Sequence, residues 1–228
     1  MNDQTTDGDT AHRQRIETLL RQGKNVYQPL YNYPYPQSIA PLRPCADRCR
    51  AVEASMAGAV EGKRLWDIGC SLGFNTLYFV DRGMVGHGLD LDPRNVAICR
   101  EIRRWTKGEA IFAEGELTRE AVEAALPGSY DYAFLFSMLH HVIEARGLDY
   151  VQGVMRALTD RVPVLYVELA LRSEVPPPGY DWDRHLPEDE LAIFAGCEGL
   201  HVDLIGRFPT HVGPVDRPIY RVAQGRPT

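Results

Sequence analysis

The strongest constraint on the fold is a regular alternation of short apolar stretches with longer amphipathic ones, beginning at Lys63. RLWDIG, MVGHGLDLD, AIFAEG, YDYAFLFSM and VPVLYVELA have the length and composition of buried strands. The segments between them, such as FNTLYFVDRG, PRNVAICREIRRW and a stretch near 146–159, have helical spacing. Strands that alternate with helices in this way form a doubly wound, mostly parallel sheet.

The C-terminal part adds the last strands. After Pro187, EDELAIFAGC predicts a helix, and LHVDLIGRF and PIYRVA predict two strands joined by a short loop. Because a parallel crossover needs more residues than this loop has, the pair is expected to be antiparallel. The sequence therefore predicts an α/β protein with a seven-stranded, mostly parallel sheet and an antiparallel last strand.

The N-terminal part lacks strands. A polar arm (1–11) precedes RQRIETLLRQG, a predicted helix ending at Gly23, and residues 45–60 predict another helix. Between them, residues 26–44, here named the strap, contain five prolines and four tyrosines. The strap either covers a binding site or only packs on the core, and both alternatives stay open. We expect residues 1–62 to form these N-terminal elements and 63–228 to form one structural unit.

Composition excludes several classes of protein. The 228 residues are 44% apolar and 25% charged, with a net charge of −6, which argues against binding nucleic acid through a basic face. No apolar run is long enough for a transmembrane helix, and no signal peptide is visible, so we expect a cytoplasmic location. The five cysteines have neither zinc-site spacing nor the pattern of a disulfide framework, so no metal is expected.

The first predicted strand runs into DIGCSLG. Glycines at 69 and 73 do not fit the GxGxxG fingerprint, which excludes a nicotinamide oxidoreductase, and no phosphate-loop lysine follows. Gly69 lets the backbone approach a ligand closely, and Gly73 permits an unusual turn dihedral. Asp67 stands where phosphate-binding loops place no acid, and this favours a cationic ligand. The alternative is a tight turn without a ligand.

The next two strands also end in acids. Asp90 lies 17 residues after Gly73, close to the spacing at which an acid binds a ribose diol. Asp92 precedes Pro93 and is predicted to cap the next helix, while Leu91 can lie against an adenine. After the third strand, either Glu114 or Glu116 can face a ligand or cap a helix beginning at 117.

Taken together, DIGCSLG, GLDLD, the GEL turn and YDYAFLFSMLHHV resemble the class I S-adenosylmethionine-dependent methyltransferases. The resemblance implies a Rossmann-like methyltransferase fold, S-adenosylmethionine as methyl donor, S-adenosylhomocysteine as product and no metal. The cofactor-binding positions that it implies here are Asp67, Gly69, Cys70, Gly73, Phe74, Asn75, Asp90, Leu91, Gly115, Glu116, Phe136 and Ser137.

A narrower resemblance involves the flanking segments. VYQPLYNYP, CADRCRAV, LYVELA and FPTHVGPVDRPIY are similar to the methyltransferase domain of bacterial O-antigen chain-terminating methyltransferase–kinase enzymes. In that family the methyl group goes to a terminal phosphate or sugar oxygen of a polysaccharide. The resemblance implies that Tyr27, Gln28 and Arg48 help to hold the cofactor.

Candidate catalytic residues follow the fourth and fifth strands. A histidine at its natural pKa can take a proton from a hydroxyl acceptor, so His140 or His141 is a candidate base; one or both can instead be structural. Glu168 ends a buried strand, where an acid is unusual. It is predicted to act at the site as a base or substrate ligand, or to pair with an arginine.

Candidate substrate-binding residues lie in two loops and the strap. The loop 208–218 contains His211 and Arg217, which could bind an anion, and residues 174–187 contain Tyr180 and Trp182, which suit a sugar or amine. Tyr31 is the candidate from the strap. The alternatives are a rigid loop with solvated charges and a stiff proline connector.

We therefore predict a methyltransferase that O-methylates a sugar, a sugar phosphate or another small polar acceptor. The expected partner is a small-molecule or glycan-like acceptor, without nucleic acid or a membrane-spanning segment. The alternatives are N-methylation of a small amine and a non-catalytic nucleoside-binding module on the same fold.

Overall fold

A computed structural model describes residues 7–23, 25–56, 58, 60–126, 128–213 and 215–225. The helices are α1 (Asp7–Gln22), α2 (Ala46–Ser55), α3 (Phe74–Val80), α4 (Pro93–Ile102), α5 (Arg119–Ala124), α6 (Leu139–Arg146) and α7 (Leu148–Thr159). The strands are β1 (Arg64–Ile68), β2 (Val85–Asp90), β3 (Ala110–Glu114), β4 (Tyr132–Phe136), β5 (Val164–Glu168), β6 (Leu200–Pro209) and β7 (Asp216–Gln224).

The seven strands form one sheet in the order β3-β2-β1-β4-β5-β7-β6. The five strands from β3 to β5 pair in parallel. β7 is antiparallel to both of its neighbours, β5 and β6. The predicted seven-stranded, mostly parallel sheet with an antiparallel last strand is thus confirmed.

Helices cover both faces of the sheet, and the strand sequences show why. Successive residues of a strand point to opposite faces, so a strand covered on both sides must be apolar throughout. In β1, Trp66 packs with α5, α6 and α7 on one face, whereas Leu65 packs with α2 and α3 on the other. In β4, Ala133 packs on the same face as Trp66, and Phe134 packs on the same face as Leu65.

The N-terminal elements pack on the body of the domain. α1 lies against α4, where Glu101 accepts hydrogen bonds from His12 and Arg15. The helix ends at Gln22, immediately before Gly23 as predicted, but begins earlier, at Asp7. Of the predicted polar arm, residues 1–6 lie outside the described residues. Within the described part of the chain, no helix is both long and apolar enough to cross a membrane.

Two predicted helices differ in the structure, and one helix forms where none is predicted. EDELAIFAGC forms only a 3-10 turn, Glu190–Phe194, which Asp189 caps by accepting a hydrogen bond from the Leu191 amide. α6 is the additional helix, and it begins directly after the β4 tip without a capping side chain. α5 begins at Arg119 rather than at 117, since Thr118 is its N-cap. The Thr118 hydroxyl accepts from the Ala121 amide, and this explains the later start.

Helix α4 begins as predicted. Asp92 has extended backbone dihedrals, and its carboxylate accepts a hydrogen bond of 2.8 Å from the amide of Arg94. Pro93 follows at the first helical position, where a missing N–H costs nothing. Asp92 is therefore the N-cap, which leaves Asp90 available for another role.

The aromatic packing at the centre of the sheet should dominate stability. Phe134 is fully buried, and its ring lies 5.1 Å from Phe79 and 5.0 Å from Phe136, centroid to centroid. We expect Phe134→Ala to lower the free energy of unfolding by about 3–5 kcal/mol through lost burial and a residual cavity. Urea unfolding measures this change. Ile111→Ala, at a side chain that is 59% exposed, is the control and should cost under about 1 kcal/mol.

Candidate active site

The candidate site lies at the sheet edge where β1, β2, β4 and β5 end. β7 is antiparallel, so its first residues, Asp216 and Arg217, lie at this same edge beside the end of β5. In doubly wound sheets, ligands bind outside this edge. Most of the predicted site residues therefore meet here because of strand direction alone.

The loop after β1, residues 69–73, is here named the cofactor loop. Gly69 and Gly73 both have positive φ, 74° and 73°. A Cβ at Gly69 would lie 3.1 Å from the Met138 side chain, and one at Gly73 would lie 3.0 Å from the Cys99 sulfur. Both positions therefore require glycine, which agrees with the predicted turn geometry.

Asp67 lies beneath this loop. Its carboxylate is 1% exposed and accepts a 2.6 Å hydrogen bond from the Thr76 hydroxyl in the first turn of α3. Burial raises the pKa of Asp67 to about 7. Asp67 thus fixes the loop to the start of α3 from below, rather than presenting an open carboxylate to a ligand.

Asp90 joins the cofactor loop to β2. Its carboxylate accepts hydrogen bonds from the amides of Ser71, at 2.7 Å, and Asp92, at 2.9 Å. The Asn95 side chain donates a third, at 3.2 Å. Burial raises the pKa of Asp90. These bonds hold the carboxylate in one orientation at the predicted ribose position, and its donors Ser71 and Asn95 line a cavity of about 50 Å³ together with Tyr27.

The predicted adenine side contains an exposed apolar residue. Leu91 is 68% exposed at the tip of β2, which leaves an apolar face open for a base. At the tip of β3, a Cβ on Gly115 would lie 2.8 Å from Leu89, so the chain passes close to β2 there. Glu116 accepts a hydrogen bond of 2.7 Å from Arg146, which lies at the end of α6.

The strap lies against the cofactor loop. The Gln28 side chain is buried and accepts a hydrogen bond of 3.3 Å from the amide of Phe74, the first residue of α3. Tyr27 approaches the site from the same segment, with its ring 5.3 Å from that of His211. Tyr31 instead packs on Phe74 and donates to Asp81 at the far end of α3, so the structure places it away from the strand tips.

A buried ion cluster joins the strap to β4 and β5. Glu168 is fully buried. The Arg43 guanidinium donates to both of its oxygens, at 2.8 and 3.1 Å, and Arg48 Nε donates at 2.7 Å. Arg43 also donates to the Tyr27 and Ser137 hydroxyls, at 2.8 Å each, and Ser137 donates to Glu168. Ser137 adopts φ 54°, a strained value for a residue with a side chain.

This cluster changes how Glu168 and Arg48 are interpreted. The two guanidiniums outweigh burial and lower the pKa of Glu168 to about 2, which makes it a weak base. Arg48 is 1% exposed and also donates to the carbonyls of Pro44 and Pro209 and to Asp47. The predicted alternative of an acid paired with arginine thus describes the geometry of Glu168, and Arg48 lies behind Arg43.

The two histidines lie in the first turn of α6 and differ in environment. His140 is 5% exposed, and its Nδ1 has no hydrogen-bond partner among the described residues. Burial, assisted by nearby His141, Arg217, His211 and Arg43, holds its pKa well below 6.5. His141 is half exposed and lies 3.9 Å from Glu144. His140 is therefore neutral at neutral pH, with a free ring nitrogen.

A second buried ion pair lies behind His140. Arg217 is bound by Glu174 through three contacts of 2.6–3.0 Å, and both side chains are buried. Trp182, also buried, packs between the Arg217 guanidinium, at 5.5 Å, and the His140 ring, at 4.8 Å. Tyr180 is 52% exposed, with its ring 5.5 Å from that of His141. In the loop 208–218, Pro214 lies outside the described residues.

The remaining predicted cofactor residues are buried supports of the loop and strand tips. They are Cys70, Phe74, Asn75 and Phe136. Of the predicted cofactor residues near the first two strand tips, the two glycines, Asp90 and Leu91 keep a geometry that is compatible with the predicted role, through a close backbone approach, a fixed carboxylate and an exposed apolar side chain.

Sequence reasoning missed Arg43 and Asn95. Arg43 sits between Leu42 and Pro44 in the strap, and its only signal was that a buried acid such as Glu168 needs a cation. Asn95 lies in the first turn of α4, three residues after the Asp92 cap. That first turn faces the β2 tip, and this placement is the signal that could have found it.

Comparison with known proteins gives a consistent result. A family model described as "Methyltransferase domain" matches residues 66–161. The O-antigen chain terminator bifunctional methyltransferase/kinase WbdD of Escherichia coli is 29% identical over 216 residues. This match covers 92% of the chain but 29% of the relative's length. A structure of WbdD superposes with a TM-score of 0.80 at 25% identity, covering 93% of this chain and 47% of that one.

Two further relatives are more distant. A ubiquinone biosynthesis O-methyltransferase of Burkholderia orbicola is 24% identical over 154 residues, which is 62% of this chain and 66% of the relative. The magnesium protoporphyrin IX methyltransferase of Synechocystis, solved with bound S-adenosylhomocysteine, has a TM-score of 0.58 at 12% identity, covering 99% and 90% of the two chains. At that identity, the likeness shows the fold alone.

The Glu168 cluster should make stability fall in acid. The folded pKa lies near 2, below the ordinary 4.5, so the unfolded chain takes up the proton first as the pH falls. The stabilisation is full above pH 4.5 and is lost toward pH 2, by roughly 3 kcal/mol. Urea unfolding across this range measures the loss. Glu168→Gln should remove this part of the pH dependence, whereas the exposed control Glu188→Gln should keep it; equal slopes would contradict the assignment.

Proposed function

We propose that the chain is a class I S-adenosylmethionine-dependent methyltransferase and that it methylates an oxygen of a sugar, a sugar phosphate or another small polar acceptor. One observation carries this proposal. The cofactor loop and a cluster of neutral histidine and buried guanidinium groups lie at the same sheet edge. A donor held by the loop and an acceptor held by the cluster would therefore meet at the tips of β4 and β5.

The cofactor side is assigned to residues of the first two strand tips and the strap. When bound, S-adenosylmethionine supplies a methyl group activated by its sulfonium. Asp90, fixed by three donors, would bind the ribose hydroxyls, and Leu91 would cover the adenine. Gly69, packed on Met138, and Gly73, packed on Cys99, would set the loop backbone that lies against the methionine part. Tyr27 and Gln28 would close the site from the strap.

We assign to His140 the role of accepting the proton that the acceptor hydroxyl loses. A hydroxyl acceptor must lose a proton as the new bond forms, and a positioned base assists that loss. His140 is neutral, and it could accept the proton through the 5% of the residue that is exposed at the start of α6, since its unpartnered Nδ1 is itself buried. Glu168 is unsuited to this role because its pKa is about 2. We therefore infer that Glu168 positions Arg43 and Ser137 rather than accepting a proton.

The charge of the site favours an oxygen acceptor. The buried guanidiniums of Arg43, Arg48 and Arg217 are paired with the carboxylates of Glu168, Asp47 and Glu174. Nevertheless, in addition to burial, Arg217, the exposed His211 and Arg43 lower the pKa of His140, so a positive potential remains at this ring. This potential would disfavour a protonated amine more than a hydroxyl, a phosphate or a carboxylate.

Two measurements test the proposal directly. Calorimetry should show binding of S-adenosylmethionine and none of NAD. Incubation with sugars and sugar phosphates, followed by mass spectrometry, should show acceptors heavier by the mass of one CH₂ group. Cofactor binding without any mass gain across phosphorylated and unphosphorylated sugars and small amines would instead support a non-catalytic nucleoside-binding module.

Asp90 should determine cofactor affinity. Asp90→Asn removes the charge and one acceptor for the ribose while it keeps the size of the side chain. We expect the Kd for S-adenosylmethionine to rise by about tenfold or more, equivalent to at least about 1.4 kcal/mol. Calorimetry measures this Kd. The matched control is Asp92→Asn, because asparagine also caps helices; its Kd should stay within about twofold. Equal effects would overturn the assignment.

His140 and His141 should differ in their effect on turnover. We expect His140→Gln to lower kcat by about 10²–10⁴, with little change in cofactor Kd, and His141→Gln to lower it far less. Because the pKa of His140 lies well below 6.5, the wild-type kcat should stay constant from neutral pH down to 6.5 and fall only in more acidic solution. Unchanged turnover in His140→Gln would point to an acceptor that is already ionised, or to an amine.

A further inference from the structure

A second concave surface lies beside the candidate site and takes no part in the roles assigned above. It is a groove with a volume of about 440 Å³ that is lined by Leu171, Arg172, Ser173, Pro187, Glu188, Glu190 and Arg207. This volume falls within the range of about 300–1,000 Å³ that is typical of small-molecule sites. These seven residues define what is named here the groove.

The groove continues the same sheet edge. Leu171 follows Glu168 by three residues, just past the end of β5. Arg207 lies near the end of β6 and pairs with Pro218, whose carbonyl accepts a hydrogen bond from the Leu169 amide. β5 and β6, one and three strands from β4, therefore place these residues at the edge that also carries the histidines. The groove and the candidate site meet at the β5 tip.

Polar side chains of the groove are held in fixed positions. Glu190 accepts a 2.9 Å hydrogen bond from the Tyr220 hydroxyl and lies 3.8 Å from the Arg207 guanidinium. Arg172 donates to the Leu186 carbonyl at 3.2 Å. A register shift in β6 between Leu204 and Gly206 precedes Arg207. Bulges of this kind redirect side chains at the ends of strands and beside binding sites.

A chain of contacts connects Leu171, at the groove, to His140. The Leu171 amide donates to Glu174 at 2.8 Å, and Glu174 holds Arg217. Arg217 in turn packs on Trp182, and Trp182 packs on His140. A continuous set of buried contacts thus fixes the distance between the groove and the proposed base.

The chemistry of the groove fits a carbohydrate. Two guanidinium and two carboxylate groups line it, and both kinds of group bind neighbouring hydroxyls through paired hydrogen bonds. Leu171 and Pro187 add apolar surface for the C–H faces of a sugar ring. Because Glu188 and Glu190 offset Arg172 and Arg207, the groove lacks the net positive charge that favours a nucleic acid or an anionic lipid surface.

We propose that the groove is a subsite for the sugar residues that precede the methylated end of a glycan acceptor. This inference rests on the proposed function and deepens it. An acceptor seated at the β4 and β5 tips would extend past the β5 tip, and its following residues would lie in the groove. The enzyme would then distinguish the end of a chain from a free monosaccharide by the additional contacts.

The test measures how affinity depends on acceptor length. The labelled full chain, saturated with S-adenosylhomocysteine, is titrated against mono-, di- and trisaccharides of common hexoses and deoxyhexoses and their terminal phosphates. We expect the best trisaccharide to bind about tenfold more tightly than its monosaccharide. The double variant Arg207→Gln, Glu188→Gln should lose most of that gain and keep the affinity for the monosaccharide.

The control is Arg119→Gln, because Arg119 is also an exposed arginine paired with a glutamate, on α5; it should keep the full gain. Affinity that is independent of length, a gain that survives in the double variant, or no saccharide bound would each overturn the groove proposal. Binding of S-adenosylmethionine and methyl transfer to any small acceptor are scored separately. If the wild-type chain showed neither S-adenosylmethionine binding nor methyl transfer, the proposed function would be overturned. If it showed both, but no effect of acceptor length on affinity, only the groove proposal would be overturned.

Discussion

The organisation of the site depends on one buried carboxylate. Glu168 has no exposed surface at the end of β5, and an unpaired charge there would cost several kcal/mol. Its counter-charges come from outside the sheet, since Arg43 belongs to the strap and Arg48 to α2. Because both arginines are needed at the β5 tip, the N-terminal segment must lie across the strand tips. The position of the strap is therefore a consequence of charge neutralisation.

The same interaction links the two halves of the site. Arg43 reaches Ser137 at the β4 tip and Tyr27 in the strap, so the acceptor side and the cofactor side share one guanidinium. Ser137 is held at a positive φ, which costs about 1–3 kcal/mol unless surrounding contacts compensate. The hydrogen bonds to Arg43 and Glu168 provide that compensation. A change in the strap would thus reach the β4 tip directly, through one side chain.

Local patterns predicted the sheet and the cofactor loop, because each depends on residues close together in the sequence. Alternating strands and helices, the Gly69–Gly73 spacing and the Asp92–Pro93 cap are all of this kind. The arginine partner of Glu168 could not be identified in this way, since Arg43 and Glu168 are 125 residues apart. α6 was missed because it begins at the strand tip without a capping side chain, and residues 190–194 failed to form an α-helix although their spacing favoured one.

The proposed role of His140 as a base depends on the charges of the arginines near it. Arg43 and Arg217 are each bound by a buried carboxylate, so their charges are largely compensated before they reach His140. The residual positive potential and burial both disfavour protonation of the ring, and this keeps its free nitrogen available. The same potential stabilises negative charge that develops on an acceptor oxygen as its proton leaves. One arrangement of charges therefore favours both a neutral base and an oxygen nucleophile, and disfavours a cationic amine.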